Sequence, residues 1–178
     1  AAKEALGLDF TCEEIDPRED PRRRGVYMEQ LQKKRGRKGI TLPDARRLLK
    51  SRVWFGSMMV EMGDADGIIG GISRDYPEFL KPCLATIGMD ENAHRVVGTY
   101  MMTIKGQLMF ISDATINIYP DARTLAEIAV QTARVARRFG IEPRVALLSF
   151  SNFGSSSQYR SERIEDSLEI ARELDPSL

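Results

Sequence analysis

The chain has 178 residues, enough for one compact domain or two small lobes, and its 42% apolar content suits an ordinary core. Its 26 lysines and arginines balance 26 aspartates and glutamates, and this zero net charge argues against nucleic-acid binding, which depends on neutralising phosphates. No apolar run is long enough to span a membrane and no signal peptide is visible, so we expect a cytoplasmic protein without a membrane partner.

The cysteines and the histidine suggest no metal site. Cys12, Cys83 and His94 lie far apart in the sequence, without the close spacing that zinc ligands show. Two cysteines allow one disulfide, but in a cytoplasmic protein we expect free thiols.

The first half of the chain is predicted to be mainly helical. Tyr27 and Leu31, with Val26 as a further candidate, face inward on the first helix. Thr41 begins the second helix, with Asp44 as its acidic partner. The elements expected here are a strand at Cys12–Ile15, helices at Arg22–Lys34, after Thr41 and at Val53–Met62, a glycine-rich strand at Gly67–Ile72, and a helix at Glu78–Ile87.

The second half alternates strands and helices, which predicts an α/β fold. Lys105 and Gly106 give a hairpin signal. The helix that follows has one apolar face, which we expect to face inward and which comprises Leu125, Ile128, Ala129, Thr132, Val135, Ala136 and Phe139. The elements expected here are strands at Val96–Ile104 and Gln107–Ser112, a helix at Ala122–Phe139, a buried strand of a parallel sheet at Val145–Phe150, and a helix at Arg160–Leu174.

Two groups of residues are candidates for binding a small anion. One is basic: Arg35 lies in a loop with five charges in six residues, and Arg74 and Lys81 follow the glycine-rich strand. From the charges alone, a solvated surface is the default interpretation for each of these cations. The other follows Val145–Leu148, the buried part of the last predicted strand, at the strand end where open α/β sheets bind ligands. Its polar and small residues are Ser149, Ser151, Asn152, Gly154 and Ser155.

No catalytic residues are identifiable from the residues alone. Ser149 and Ser151 have no recognisable base, which a nucleophilic serine needs. Asp113 follows an apolar strand, where it is either a site carboxylate or the cap of the next turn. Gly67–Gly71 brings backbone close either to a ligand phosphate or to a packed helix, and it lacks the dinucleotide-binding fingerprint.

Several segments, taken in order, resemble the phosphate acetyl/butyryltransferase family. These are Lys38–Leu42, Phe55–Val60, Gly63–Gly67 and Arg144–Gly154. Within that family, Ile15–Asp20, Ser73–Pro77 and Leu148–Ser155 are most similar to the carboxy-terminal domain of bacterial NADP-dependent malic enzymes.

The resemblance implies a two-lobed fold, related to isocitrate and isopropylmalate dehydrogenases, of which this chain is a fragment. Residues 1–90 would belong to the first α/β lobe and residues 91–178 to the second. Ligand would bind in the cleft, and the family commonly forms homo-oligomers. The family's catalytic serine, arginine and aspartate would fall after Leu178, so we expect no catalytic residue in this chain.

The resemblance also assigns roles to the candidate cations. Arg35 matches one of two arginines that bind coenzyme A in the transferases, and Lys81 replaces the other, keeping the charge but losing the two-pronged donor. Asp75–Pro77 stands where the transferases have a serine- and threonine-rich turn that holds acetyl phosphate. A carboxylate repels phosphate there, and proline removes an N–H donor.

Three functions remain open at this stage. The favoured one is a regulatory domain that binds acetyl-CoA or a related acyl-CoA, joined to an amino-terminal malic enzyme domain. That parent would oxidise malate to pyruvate with NADP and Mg²⁺ or Mn²⁺, so no cofactor is expected in this chain. The alternatives are an active phosphate acetyltransferase and a purely structural oligomerisation module.

Overall fold

The computed structural model describes residues 6–7, 12–91, 93–148 and 159–178. These residues form helices, with one short hairpin, in two compact units that divide the chain at 91/92. The elements are α1 (Pro21–Arg35), a 3₁₀ turn (Gly36–Lys38), α2 (Leu42–Leu48), α3 (Arg52–Glu61), α4 (Tyr76–Thr86), β1 (Thr99–Ile104), β2 (Gln107–Ser112), α5 (Ala122–Arg138) and α6 (Tyr159–Leu174).

Two helices of the first unit, α1 and α2, begin at side-chain caps. Asp20 accepts a hydrogen bond from the Arg23 amide at the start of α1. At α2, Thr41 and Asp44 cap each other's backbone amides, as the sequence predicts. Such reciprocal caps satisfy amides that have no partner inside the helix, so they define where the chain turns into a helix.

Helices α1, α2 and α3 enclose the core of the first unit. Tyr27 and Leu31 of α1 are buried, as predicted, whereas Val26, the further candidate for an inward position, is 51% exposed. The Tyr27 ring packs on Phe55 with centroids 5.1 Å apart. The Tyr27 hydroxyl donates to the Asp64 carboxylate, and burial, reinforced by that carboxylate, raises the pKa of the phenol. The cluster comprises Tyr27, Leu31, Ala45, Leu49, Trp54, Phe55 and Met58.

The second unit pairs a hairpin with two helices. Strands β1 and β2 are antiparallel, with Thr99 opposite Ser112 and Ile104 opposite Gln107. Lys105 and Gly106 both have positive φ, 50° and 80°, which is the turn expected between such strands. On α5, burial extends around much of the helix because α6 packs against it and β2 also contacts it.

Three predicted strands are wrong over the residues that the structure describes. Cys12–Ile15, Gly67–Ile72 and Val145–Leu148 have no regular structure, and Ile69, Ile72 and Leu148 are exposed. A strand needs a neighbouring backbone to accept and donate its hydrogen bonds. In the described part of the chain the sheet consists of β1 and β2 alone, so the predicted parallel sheet is not observed there.

The predicted inward face of α5 is partly wrong. Ile128, Ala129 and Ala136 are buried, as predicted, whereas Phe139 is 54% exposed. Glu127 is buried instead of lying on the solvent side, since Arg95 and Arg123 both pair with its carboxylate. An apolar periodicity cannot indicate a buried charge whose partner lies more than thirty residues away.

An ion pair links the end of α5 to the segment after α6, and it gives the second unit an acid-sensitive contact. Arg137 Nη1 donates to Asp175 Oδ2 at 2.7 Å, and Ser177 Oγ donates to Asp175 Oδ1 at 2.6 Å. The hydrogen bonds from Ser177 and Arg137 lower the pKa of the Asp175 carboxyl from 3.8 to about 2. The folded state therefore favours the charged carboxylate.

We expect this contribution to stability to be complete above about pH 4 and to disappear as the pH falls towards about 2, because the carboxyl has the lower pKa in the folded protein. Carboxyl-detected NMR titration would measure the value directly. Arg137→Gln should raise the pKa of Asp175 towards 3.8, and Arg138→Gln, a change to the exposed neighbour, should not. A normal Asp175 titration in the unaltered protein would contradict the contact.

Candidate functional site

The candidate cations of the first unit lie around helix α4. Lys81 is an exposed residue of the helix itself. Arg74 lies just before the helix, and its Nη1 is 3.7 Å from Glu78 Oε2 in the first turn. Arg35 ends α1 and reaches the last turn of α4. The structure thus places all three along one helix, with Arg35 and Arg74 at opposite ends of it.

The guanidinium of Arg35 is hydrogen-bonded to backbone carbonyls of α4. Its Nε donates to the Ala85 carbonyl at 2.5 Å and its Nη2 donates to the Leu84 carbonyl at 2.6 Å. These carbonyls lie three and four residues after Lys81 on the same helix. The sequence indicated the charge of Arg35 but not this engagement, because its partners lie about fifty residues further along the chain.

The start of α4 is unusually poor as an anion site. A helix amino terminus ordinarily attracts phosphate through its free amides and its dipole. Here Asp75 occupies the cap position without a capping hydrogen bond from its side chain, and Glu78 adds a second carboxylate in the first turn. Pro77 lacks an amide hydrogen, so it offers no donor.

The candidates after Val145–Leu148 lie outside the described residues. They are Ser149, Ser151, Asn152, Gly154 and Ser155. Their contribution to binding stays a prediction.

Asp113 is the cap of a turn. Its Oδ1 accepts the amides of Thr115 and Ile116 at 2.9 and 3.1 Å, and its Oδ2 accepts the amide and the side-chain nitrogen of Asn117 at 3.1 and 2.5 Å. Asn117 also donates to the Val96 carbonyl at 3.0 Å, which ties the turn to the segment before β1. These four hydrogen bonds match the acceptor capacity of one carboxylate, so capping the turn uses all of the acceptor sites of Asp113.

The remaining features offer little for cofactor chemistry. Within the described ranges, no group of three or more histidine, cysteine, aspartate or glutamate side chains could hold a metal ion. Cys12 and Cys83 are free thiols, as predicted. A cavity of about 150 Å³ in the second unit, between α5 and α6, is smaller than the usual ligand pocket and is lined largely by apolar side chains. None of the described helices could cross a membrane.

Comparison with known proteins identifies the class to which this fold and these residues belong. The family model described as phosphate acetyl/butaryl transferase matches residues 1–178. A phosphotransacetylase from Streptococcus pyogenes superposes with a TM-score of 0.85 at 32% identity, over 99% of this chain and 54% of that one. The chain belongs to the phosphate acetyl/butaryl transferase family, and its α/β fold matches phosphotransacetylase structures over about half their length.

Two kinds of relative are equally similar to the chain. It is 37% identical to a phosphate acetyltransferase of Corynebacterium glutamicum, covering 97% of this chain and 53% of that protein. It is 38% identical to an NADP-dependent malic enzyme of Escherichia coli, covering 97% of this chain and 22% of that protein. The predicted resemblance to the transferase family and to a region of malic enzymes is therefore confirmed. The chain spans about half or less of these relatives.

Proposed function

We propose that this chain is the regulatory, acyl-CoA-binding domain of an NADP-dependent malic enzyme, with acetyl-CoA as effector and without acetyl transfer. The complete protein would be a cytoplasmic homo-oligomer whose amino-terminal malic enzyme domain binds NADP and a divalent metal. The observation that carries the proposal is the start of α4, where two carboxylates and a proline leave a helix terminus poorly suited to phosphate.

A phosphate acetyltransferase must hold acetyl phosphate, which is an anion, and stabilise negative charge during transfer. At the start of α4, Asp75 and Glu78 oppose that charge, and Arg74 is directed towards Glu78. Coenzyme A has its own phosphates, and the exposed ammonium of Lys81 suits them. The geometry thus favours binding of the coenzyme A portion over binding of acetyl phosphate.

Lys81 provides the cleanest test of binding. Lys81→Ala should weaken acetyl-CoA binding about tenfold, since an exposed charge-assisted contact to phosphate is worth about 1.4 kcal/mol. Isothermal titration of the full-length protein would measure this, with Lys50→Ala as an exposed cation of the same unit for control. Arg35→Ala is a poorer choice, because it also removes two backbone contacts.

No acetyl-CoA binding by the unaltered protein would overturn the proposal. If the unaltered protein bound no acetyl-CoA but light scattering still showed an oligomer, the result would favour the hypothesis of a structural oligomerisation module. Binding that Lys81→Ala and Lys50→Ala weaken equally would remove Lys81 from the site.

A working phosphate acetyltransferase is the second candidate, supported by 37% identity to the Corynebacterium glutamicum enzyme over 97% of this chain. The discriminating experiment is an assay of the full-length protein for acetyl-CoA formation from acetyl phosphate and coenzyme A. Sustained turnover would favour the transferase. Acetyl-CoA binding without turnover, together with a change in malate oxidation, would favour the regulatory domain.

A further inference from the structure

The carboxyl end of α4 is completed by side chains of another helix. The last carbonyls of a helix have no intrahelical donors. At this end, the Cys83 carbonyl accepts two amides, those of Ile87 at 2.9 Å and Gly88 at 3.1 Å. The next two carbonyls, of Leu84 and Ala85, accept from the Arg35 side chain. The guanidinium therefore takes the place of the missing backbone donors.

A second cation strengthens this cap. Lys34 Nζ is 3.5 Å from the Ile87 carbonyl, and it also donates to Glu61 Oε1 at 2.5 Å. Lys34 and Arg35 belong to the last turn of α1, and their side chains reach the carboxyl end of α4. The two cations therefore lie at the carboxyl ends of two helices. Both ends carry partial negative charge, which two adjacent cations offset.

We propose that Arg35, assisted by Lys34, is a positioning residue that caps α4 and orders the segment after it. That segment, residues 87–91, is the connection that leads into the second unit. Gly88 makes the sharp turn there with a positive φ of 89°. The cap therefore holds the helix end from which this connection departs.

The cap also makes the connection responsive to ligand, an inference that rests on the proposed acyl-CoA binding. The same guanidinium fork that holds Leu84 and Ala85 is the group suited to a coenzyme A phosphate. The carbonyls face the Nε–Nη2 edge of the guanidinium, so a phosphate that takes this edge for its paired contact displaces it from both carbonyls. Binding of acetyl-CoA at Arg35 then uncaps α4 and loosens residues 87–91, and Lys81 on the same helix remains available to the ligand.

Hydrogen–deuterium exchange in the full-length protein tests the cap without ligand. Arg35→Ala should speed exchange of the Ile87 and Gly88 amides about tenfold, because both pair with the end of α4 that Arg35 holds. Arg35→Lys keeps the charge but not the fork, and should restore only part of the protection. Arg37→Ala removes an exposed neighbouring cation and should leave both amides as they are.

The outcomes separate the cap from the proposed function. Equal exchange in Arg35→Ala and Arg37→Ala would overturn the cap, whatever the ligand does. With acetyl-CoA at saturation, the same amides should exchange faster in the unaltered protein and no faster in Arg35→Ala. Unchanged or slower exchange despite binding measured by calorimetry would overturn the ligand response alone. A calorimetric result of no binding would instead sink the proposed function, and the ligand-free variants would still decide the cap.

Discussion

Replacing Phe55 with alanine should lower the free energy of unfolding of the first unit by about 3–5 kcal/mol. The ring is 2% exposed and packs on Tyr27, in a cluster that α1, α2 and α3 share. The loss of stability has two parts. The removed ring no longer contributes its transfer free energy, and the space it filled remains as a cavity.

Urea denaturation followed by the fluorescence of Trp54 would measure this loss, because Trp54 is the single tryptophan of the chain and lies in the same cluster. Val26→Ala is the matched control on α1, since Val26 is 51% exposed. That control should change the free energy of unfolding by no more than about 0.5 kcal/mol. A loss below about 1.5 kcal/mol for Phe55→Ala would mean that the three helices do not share one core.

Asp113→Ala should destabilise the second unit by about 2–3 kcal/mol. The carboxylate accepts four hydrogen bonds from Thr115, Ile116 and Asn117, and all of them are lost together. Part of the cost is recovered because water can reach the exposed Thr115 amide. Asn117→Ala should cost less, since it removes one of those donors and the tie to the Val96 carbonyl.

The same substitution distinguishes a turn cap from a ligand-binding carboxylate. Burial alone would raise the pKa of Asp113, but the hydrogen bonds from residues 115–117 outweigh it and lower the pKa. Its contribution to stability is therefore present above the ordinary carboxyl pKa and lost as the pH falls through the folded value. Thermal denaturation across acidic pH should show a smaller loss in Asp113→Ala than in the unaltered protein, because the Asp175 contact of the same unit remains acid-sensitive in both. Unchanged stability with abolished acetyl-CoA binding would contradict the turn assignment.

The helices were the elements that local sequence could predict. Thr41 and Asp44 cap each other across three residues, and the apolar residues of α3 are close together in the chain. The hairpin is equally local, because Lys105 and Gly106 place each strand beside the other. In each case the interacting groups are separated by a few residues, so their pattern is visible in the sequence.

Local sequence could not predict that two strand-like segments lack a pairing partner, nor which groups the charged side chains contact. Gly67–Ile72 and Val145–Leu148 have strand-like composition, but a strand forms only when another strand pairs with it. The buried Glu127 depends on Arg95, and the cap of α4 depends on Arg35. These partners are distant in the chain, and a charged residue looks the same in the sequence whether it faces solvent or a carbonyl.

By itself the sequence determined the helices, the hairpin and membership of the phosphate acetyl/butaryl transferase family, because the residues that decide these features are adjacent or occur in a recognisable order. The tertiary structure alone decided what Asp113 and Arg35 do. Asp113 caps a turn, and Arg35 donates to carbonyls at the end of α4. Hydrogen bonds form between groups that are close in space, and the sequence alone does not show which groups those are.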